Sequence, residues 1–466
     1  MVDKDIESLS REELIDLVRE LMKRVNALEG LLVELEAENE QLRQEIGQKK
    51  PPSWAKRNRP KADGPKEPRR KRALEQNNNR RRELPTRTEQ HAFERCPKCS
   101  YRLHGESMDY TRQVIELPPP QSVEVIEHQV IKRYCPKCER WQSPKLDLSG
   151  QVFGQGRMGV RLASTVAYLR NTLRLPIRAI QGYLGTLHGL KISIGEIVEL
   201  LHDVRQATEG TLNTLKERMQ ASEIVHGDET GWREKGQNGY IWSFSTPGEE
   251  AIRYYEFDTS RGKAVPKRIL GEGFKGHLVS DFLGSYNDSA GKQQRCWVHL
   301  LRALHELKEA HSDEGEVVAW AQQLRALYDE AKGWLEQVRG PTREQREGKY
   351  VELVGKVHQL GTQYAAVKKH PCRALAKRVL RHEDELFQFV LVEGLSADNN
   401  LAERSIRPMV VIRKISGGTR GEDGTKTRMA LASLFETWQA RGLNPFAECL
   451  KLLTQPVTTQ PTIPLP

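Results

Sequence analysis

Leu14, Leu21, Leu28, Leu35 and Leu42 recur every seven residues, and Val18, Val25, Leu32 and Ile46 fill the companion seam, with Asn39 its single polar member. A strict seven-residue apolar repeat over four heptads or more predicts a coiled coil. β-branched residues at one seam position and Leu at the other favour two strands, and one buried Asn fixes register and parallel pairing. An amphipathic helix packed on its own domain is the alternative. The strictness of the repeat and the disorder-prone sequence beside it favour oligomerisation through residues 11–47.

The apolar pattern turns helical again from Arg157 to Met219. It predicts one helix near Arg157 to Leu173, a second after Pro176, a turn around Gly189 and a third opening at Ser193, where Ser193 and Glu196 form a capping box. Two helices joined by a glycine-containing turn resemble a helix-turn-helix, with the helix after Ser193 entering a major groove. Plain helical packing fits the same pattern, and the segment carries few basic residues. Period-two alternation rich in β-branched and aromatic residues then predicts strands at Glu223 to Glu234, Tyr240 to Thr246 and Ala251 to Phe257, separated by KGQNG and PGEE turns. An antiparallel meander follows, then a helix at Arg261 to Leu270, a fourth strand at Gly276 to Phe282 and a fifth around Arg295 to Val298. Helical sequence resumes at Trp297 to Ala310, Glu316 to Arg339 and Arg346 to Val392. A last helix is expected over about Lys426 to Arg441, before Gly442 and a Pro/Thr tail.

At 466 residues the chain is long enough for roughly three domains. A charged N-terminus and the lack of any long apolar run argue against a signal peptide or spanning helix, so a cytoplasmic protein with no membrane association is expected. The net charge of +10 is unevenly spread. Residues 51–90 hold 13 Lys and Arg against 5 Asp and Glu, or +8, leaving about +2 for the rest. That stretch has six prolines and few large apolar residues, so it reads as a disordered basic linker. Arg70, Lys71 and Arg72 in one cluster and Arg80, Arg81 and Arg82 in the next point to phosphate-backbone contact, with a solubilising tether as the alternative.

Cys96, Cys99, Cys135 and Cys138 form two C-x2-C pairs with 35 residues between them. Each pair can fill two corners of a tetrahedron from one tight turn, so the four predict a closed structural zinc site. Strands expected at Gln113 to Leu117 and Val123 to Tyr134 would complete a zinc ribbon. A redox role would require a thioredoxin-like βαβ pattern, which the sequence lacks.

Candidate chemistry sits in three acidic residues. Asp228 lies in the first meander strand and Asp281 ends the fourth. Glu403 falls in SADNNLAERSIRPMVVIRK, Ser396 to Lys414, early in a helix that Asp398, Asn399 or Asn400 could cap. Arg407 shares the face of Glu403, and Lys414 joins it if the helix survives Pro408. Taken singly, Asp228 could be a turn residue, Asp281 a helix cap, and Glu403 and Arg407 a surface ion pair worth about 0.2–0.5 kcal/mol. Glu229, beside Asp228, should point to the opposite sheet face. His299 flanks these blocks, and Trp297 reads as core.

Three strands, a helix, a fourth strand and a much later Glu helix is the order of an RNase H-like fold. The blocks HGDETGW at His226 to Trp232, VSDFLGSY at Val279 to Tyr286, CWVHLLRAL at Cys296 to Leu304 and DNNLAERSIRP at Asp398 to Pro408 resemble the catalytic blocks of the IS66 family of DDE transposases. The coiled coil, the two CxxC pairs and LFETWQARGLNPFAECL resemble that family too, and the likeness covers nearly the whole chain. It departs after Lys414, where ISGGTRGEDG stands in place of an aromatic, apolar run.

The resemblance implies that Asp228, Asp281 and Glu403 are a metal-binding triad. It also implies a transposase that hydrolyses DNA at the ends of an insertion sequence and transfers the freed strand to a target. Two Mg2+ ions about 4 Å apart, with Mn2+ as substitute, would activate the nucleophile and stabilise the leaving oxygen. Arg404, Arg407 and Lys414 would hold phosphate beside them. A non-catalytic DNA-binding regulator derived from a transposase is the alternative. The expected partners are double-stranded DNA, as terminal inverted repeats and target, a second or further copy through the coiled coil, and accessory transposition proteins, with nucleoid association when DNA is bound. The expected architecture is multidomain α+β. It comprises a coiled coil at 1–50, a basic linker at 51–90, a zinc-binding domain at 91–150 and a helical DNA-binding region at 151–220. An RNase H-like α/β core at 221–300 follows, with a helical insertion at 301–395, the Glu helix at 396–420 and a C-terminal helical region at 421–466.

Overall fold

The computed structural model describes residues 10–12, 15, 18–19, 22–31, 36–37, 82–153 and 156–455. The chain divides into two compact units, 1–116 and 117–466. In the first, helix α1 is described over residues 22–31. Val18, Val25 and Leu28 of the seven-residue repeat are helical and exposed there. Leu14, Leu21, Leu32, Leu35, Asn39, Leu42 and Ile46 lie outside the described residues. From 82 onward this unit is irregular. The Arg82 guanidinium binds the hydroxyl and carbonyl of Thr111, Glu83 and Gln113 exchange hydrogen bonds, and a bridge joins Arg95 to Arg102 around the first cysteine turn.

The second unit opens on a small hairpin, β1 (Arg133–Cys135) and β2 (Arg140–Gln142), whose register sets Tyr134 opposite Trp141. The longer strands expected at 113–117 and 123–134 are absent apart from this piece. A strand needs a ladder partner, and this segment finds others: Val123 N–H donates to the His188 carbonyl, and the His188 ring meets the Gln121 carbonyl.

Helices α2 (Val160–Asn171), α3 (Ile177–His188) and α4 (Ile194–Ala207) follow, and the Ser193–Glu196 capping box closes the start of α4. The single helix expected after Ser193 is broken at Thr208, whose backbone leaves helical geometry before α5 (Glu209–Gln220). α2, α3 and α4 share one core with two C-terminal helices, α13 (Glu422–Ala440) and α14 (Pro445–Thr454). The expected helix at 426–441 therefore begins earlier than its apolar stripe suggested, and a further helix follows Gly442.

Between these lies a five-stranded sheet. Its strands are β3 (Ile224–Glu234), β4 (Gln237–Ser245), β5 (Arg253–Asp258), β6 (His277–Ser280) and β7 (Lys292–Arg295), in spatial order β5-β4-β3-β6-β7. β3, β4 and β5 pair antiparallel, while β6 joins β3 and β7 joins β6 in parallel. The crossover from β5 to β6 carries α6 (Ala264–Leu270). The fifth strand ends at Arg295, three residues earlier than expected, because Cys296 caps α7 (Trp297–Ala310). One sheet face buries Val225, Trp242, Phe244 and Leu278 against α5 and α6. The other buries Trp232, Ile241 and Tyr255 against α12 (Asn400–Ser416) and α13.

Between β7 and α12 stands a helical block with its own core around Trp297, Trp320 and Phe387. Its members after α7 are α8 (Gly315–Gln337), α9 (Arg343–Ala365), α10 (Arg373–Arg381) and the short α11 (Gln388–Leu391). No helix among the described residues is long and apolar enough to cross a membrane.

Candidate functional site

The parallel register of β3 and β6 brings the two aspartates together. Ile224 pairs with His277, Val225 with Leu278 and His226 with Val279. Carried two residues further, the same register sets Asp228 beside Asp281, just past the end of β6. Side chains alternate along a strand, so Asp228 shares the face of His226 and Trp232, the face on which α12 packs. Glu229 turns the other way, as expected. Its carboxylate is nearly fully buried, receives Arg261 Nη2 at 2.6 Å and accepts from Tyr286 OH at 2.7 Å. It is therefore already neutralised and satisfied on the far side of the sheet.

Asn399 docks the first turn of α12 onto this strand end. Its amide N–H reaches Cys296 Sγ at 3.2 Å, its Nδ2 donates to the Gly227 carbonyl at 2.8 Å, and its Oδ1 stands 3.2 Å from His226 Nδ1. Because Nδ2 is committed as donor, Oδ1 is the acceptor and His226 donates through Nδ1. Asn399 is the N-cap residue by position, yet it makes no side-chain cap bond. Asp398 supplies one instead, Oδ1 accepting from Asn400 N–H at 3.0 Å. The helix runs through Pro408, so Glu403, Arg407 and Lys414 do share one face. Tyr255 OH donates to the Ser405 carbonyl at 2.6 Å, next to the carbonyl of Arg404 that Pro408 leaves without its helical donor.

Glu403 sits in the first turn with Oε1 buried and without a hydrogen-bond partner among the described residues. Its nearest basic neighbour is His299 Nε2 at 3.8 Å, beyond hydrogen-bond reach, and His299 Nδ1 is likewise buried and unpartnered. Asp228 and Asp281 each spend one oxygen on a backbone N–H, of Glu229 and Leu283, both at 2.9 Å. Each keeps a second oxygen for a ligand. Among the described residues, however, no group of three His, Cys, Asp or Glu side chains stands in metal-holding geometry.

The carboxylates feel one another. Burial first, then the charges of Glu229, Asp281 and Glu403, push the Asp228 carboxyl from 3.8 up to about 7. The folded protein thus retains a proton that the unfolded chain releases near pH 4. The Asp228 contribution to stability in metal-free buffer is expected to be full below about pH 4 and to be lost as pH rises through about 7, by up to roughly 1.4 kcal/mol per pH unit, while buried His226 contributes with the opposite sign below about pH 6.5. Asp228→Asn should remove that loss, so that the variant gains stability on the parent as pH rises from 4.5 to 8. Urea unfolding at pH 4.5, 6 and 8 in EDTA checks both, and an unchanged slope in the variant would assign the effect to another group. Burial also lowers the His226 imidazole to about 4, so it is neutral at physiological pH.

Arg295, which sequence reasoning did not single out, fixes the loop bearing Asp281. It is wholly buried, with Nη1 donating to the Asp281 carbonyl at 2.9 Å and to Ser280 Oγ at 3.1 Å, and Nη2 donating to Asn287 Oδ1 at 2.9 Å. Nε meets Glu385 Oε2 at 2.5 Å, and His382 Nδ1 holds the same oxygen at 2.7 Å. The helical block is thereby tied to the second aspartate. Nothing in the pattern marked Arg295, because an arginine at a strand end reads as an exposed edge residue until the block that buries it is placed.

Of the expected basic contacts, Arg404, Arg407 and Lys414 are exposed and make no ion pair among the described residues. Arg82 is engaged with Thr111, and Arg70, Lys71, Arg72, Arg80 and Arg81 lie outside the described residues. Each cysteine turn favours the thiolate on its own. Backbone N–H groups of Lys98 and Cys99 lower the Cys96 thiol, and that of Cys138 lowers the Cys135 thiol. A thiolate with amide donors aimed at it is the form a zinc ligand takes.

Comparison with known proteins places these features in a family. Uncharacterized protein y4qI of Sinorhizobium fredii (strain NBRC 101917 / NGR234) is 24% identical over 267 residues, 51% of this chain and 49% of that one. Uncharacterized protein y4jO of the same organism is 26% identical over 170 residues, 36% and 49% of the two chains. The chain thus spans about half the length of each of these relatives. Residues 94–139, which contain all four cysteines, match the zinc-finger binding domain of transposase IS66. Residues 155–427, well over half the chain and including Asp228, Asp281 and Glu403, match the model of the transposase IS66 family. The chain belongs to the IS66 family of transposases.

Proposed function

We propose that this protein is a DDE transposase, with an RNase H-like catalytic core in which Asp228, Asp281 and Glu403 are the metal-binding residues. It cuts DNA at the ends of an insertion sequence and joins the freed strand to a target. The convergence of three acidic residues from β3, the end of β6 and the first turn of α12 carries this reading, together with the burial and, after it, the neighbouring carboxylates, Asp281 and Glu403 among them, that raise Asp228. Their chemistry fits a hard divalent cation: two aspartates with a spare oxygen each, and a glutamate with a buried oxygen lacking any partner.

Magnesium bound there would supply an activated hydroxyl and charge neutralisation at the scissile phosphate. The chain's own groups do the rest. Arg407 and Lys414 hold phosphate along the α12 face, with Arg404 beside them. The His226–Asn399 contact fixes the helix start, and Arg295 fixes the Asp281 loop. Cys96, Cys99, Cys135 and Cys138 hold a structural zinc, the N-terminal repeat pairs two copies, and the basic linker follows the DNA backbone. Accessory transposition proteins and a cytoplasmic, nucleoid-associated location belong to the same reading.

A binding-only regulator draws on one observation, that no three ligand side chains stand in metal-holding geometry among the described residues. Purified protein, a pre-cut element-end duplex and a plasmid separate the two. Joined product is expected with Mg2+ or Mn2+ and none with EDTA. Firm binding of the ends with no joining in either metal would favour the regulator.

A further inference from the structure

Two elements leave the acidic cluster and meet again at the far end of the sheet. β3 continues from Asp228 to its turn at Lys235 and Gly236, and α12 continues from Glu403 to Ser416. Thirteen helical steps of 1.5 Å from Glu403 to Ser416 make this a run of roughly 20 Å, close to six base-pair steps of duplex DNA. At the far end the loop after α12, the stretch that departs from the family pattern, is locked to the strand. Thr419 N–H donates to the Arg233 carbonyl at 2.8 Å, Lys235 N–H donates to the Thr419 carbonyl at 3.0 Å, and Trp232 Nε1 reaches Thr419 Oγ1 at 3.1 Å. Arg413 ties the helix to Gly231 and Thr230. The joint depends on Gly418, at φ +138°, where a Cβ would stand 2.1 Å from the Arg233 carbonyl oxygen.

This joint presents Lys235 and Arg420 to solvent, with no ion pair to either among the described residues, while Arg233 on the opposite sheet face donates through Nε to Asn238 Oδ1 at 3.2 Å. Lys235 occupies the left-handed region, φ 52°, ahead of Gly236 at φ 80°. Both central residues of this two-residue hairpin turn therefore have positive φ, where Asn or Gly is the unstrained choice.

The geometry points to a second phosphate clamp: Lys235 at the β3–β4 turn and Arg420 on the glycine loop grip the DNA backbone about six base pairs from the cleavage position. The clamp rests on the transposase reading and extends it to the flanking duplex, with Arg407 and Lys414 bridging the interval along α12. Its contacts are to phosphate, so they add affinity without sequence preference.

Lys235→Asn combined with Arg420→Gln tests this in the full chain. Asn suits the left-handed position, so the turn is kept while the charge is removed, and Arg420 is exposed. Fluorescence anisotropy would follow binding to a random-sequence duplex extending ten base pairs or so beyond the site, and to one ending at it. On the long duplex the slope of log K against log salt should fall by about 2, with affinity roughly tenfold or more lower at 100 mM salt. The short duplex should be unaffected, and Lys332→Gln with Lys368→Gln, two exposed lysines of the helical block, should change neither. Equal slopes for parent and variant on the long duplex would overturn the clamp, even if the parent joins DNA normally. A fall in slope in a protein that never joins DNA would keep the clamp and sink the transposase reading. A parent that binds neither duplex would sink both.

Discussion

Glu403→Ala is expected to slow joining of a pre-cut element end to plasmid by roughly a thousandfold or more, about 4 kcal/mol in the barrier, while DNA binding is kept. The fold should tolerate the change, because Glu403 Oε1 has no hydrogen-bond partner to orphan. Removing a negative charge beside Arg404 and Arg407 should leave affinity for phosphate unchanged or slightly higher. Asp228→Asn and Asp281→Asn should match the loss in activity, since residues acting as one unit are not additive and any single deletion costs nearly the whole effect. Joining assays and gel shifts on the same preparations check this. Retention of even a tenth of the parent's rate in Glu403→Ala would remove it from the triad, with Asp398 as the next carboxylate to test.

Cys135→Ser should release the structural metal. Zinc content is expected to fall from about one per chain to near zero, with DNA binding strongly reduced, while thermal unfolding of the remainder is little changed. Val114, Ile115, Leu117 and Val125 are each about four-fifths exposed, so the sequence around the cysteines buries too little to hold itself together. In such small domains the binding free energy of the metal supplies the folding free energy, about 10–16 kcal/mol for zinc-finger peptides. The sheet and helices of 160–455 have their own buried clusters. Elemental analysis and limited proteolysis report the result. Full zinc occupancy in the variant would exclude Cys135 as a ligand.

Short-range signals found most elements of the sheet and the helices before it. The Ser193–Glu196 box stands where expected and the period-two runs from Glu223 to Phe257 form strands, though the expected KGQNG turn tightens to Lys235 and Gly236, with Gln237 already in β4, and the third strand begins at Arg253. The expectations that missed needed distant partners. Strand-like sequence at 113–117 and 123–134 forms almost no ladder, because only Arg133–Cys135 meets a second strand. The break at Thr208 comes where α4 is committed to the core it shares with α13, some 220 residues later, and α5 to the sheet.

The candidate site divides along the same line. Alternation along β3 was enough to separate Asp228 from Glu229, because a pleated strand allows nothing else. That Asp228 lies beside Asp281 depends on the β3–β6 register, and the delivery of Glu403 depends on Asn399 bonding to Gly227 and facing His226, across more than 170 residues. Arg295 and the clamp at Lys235 were invisible for that reason: their neighbours come from the helical block and from the loop after α12. Sequence alone determined which residues carry charge, which sheet face each strand residue takes and which family the chain resembles, since those follow from residue type and local period. Only the tertiary structure decided which carboxylates lie near one another and which are already paired, because burial and charge coupling arise between segments the chain brings together last.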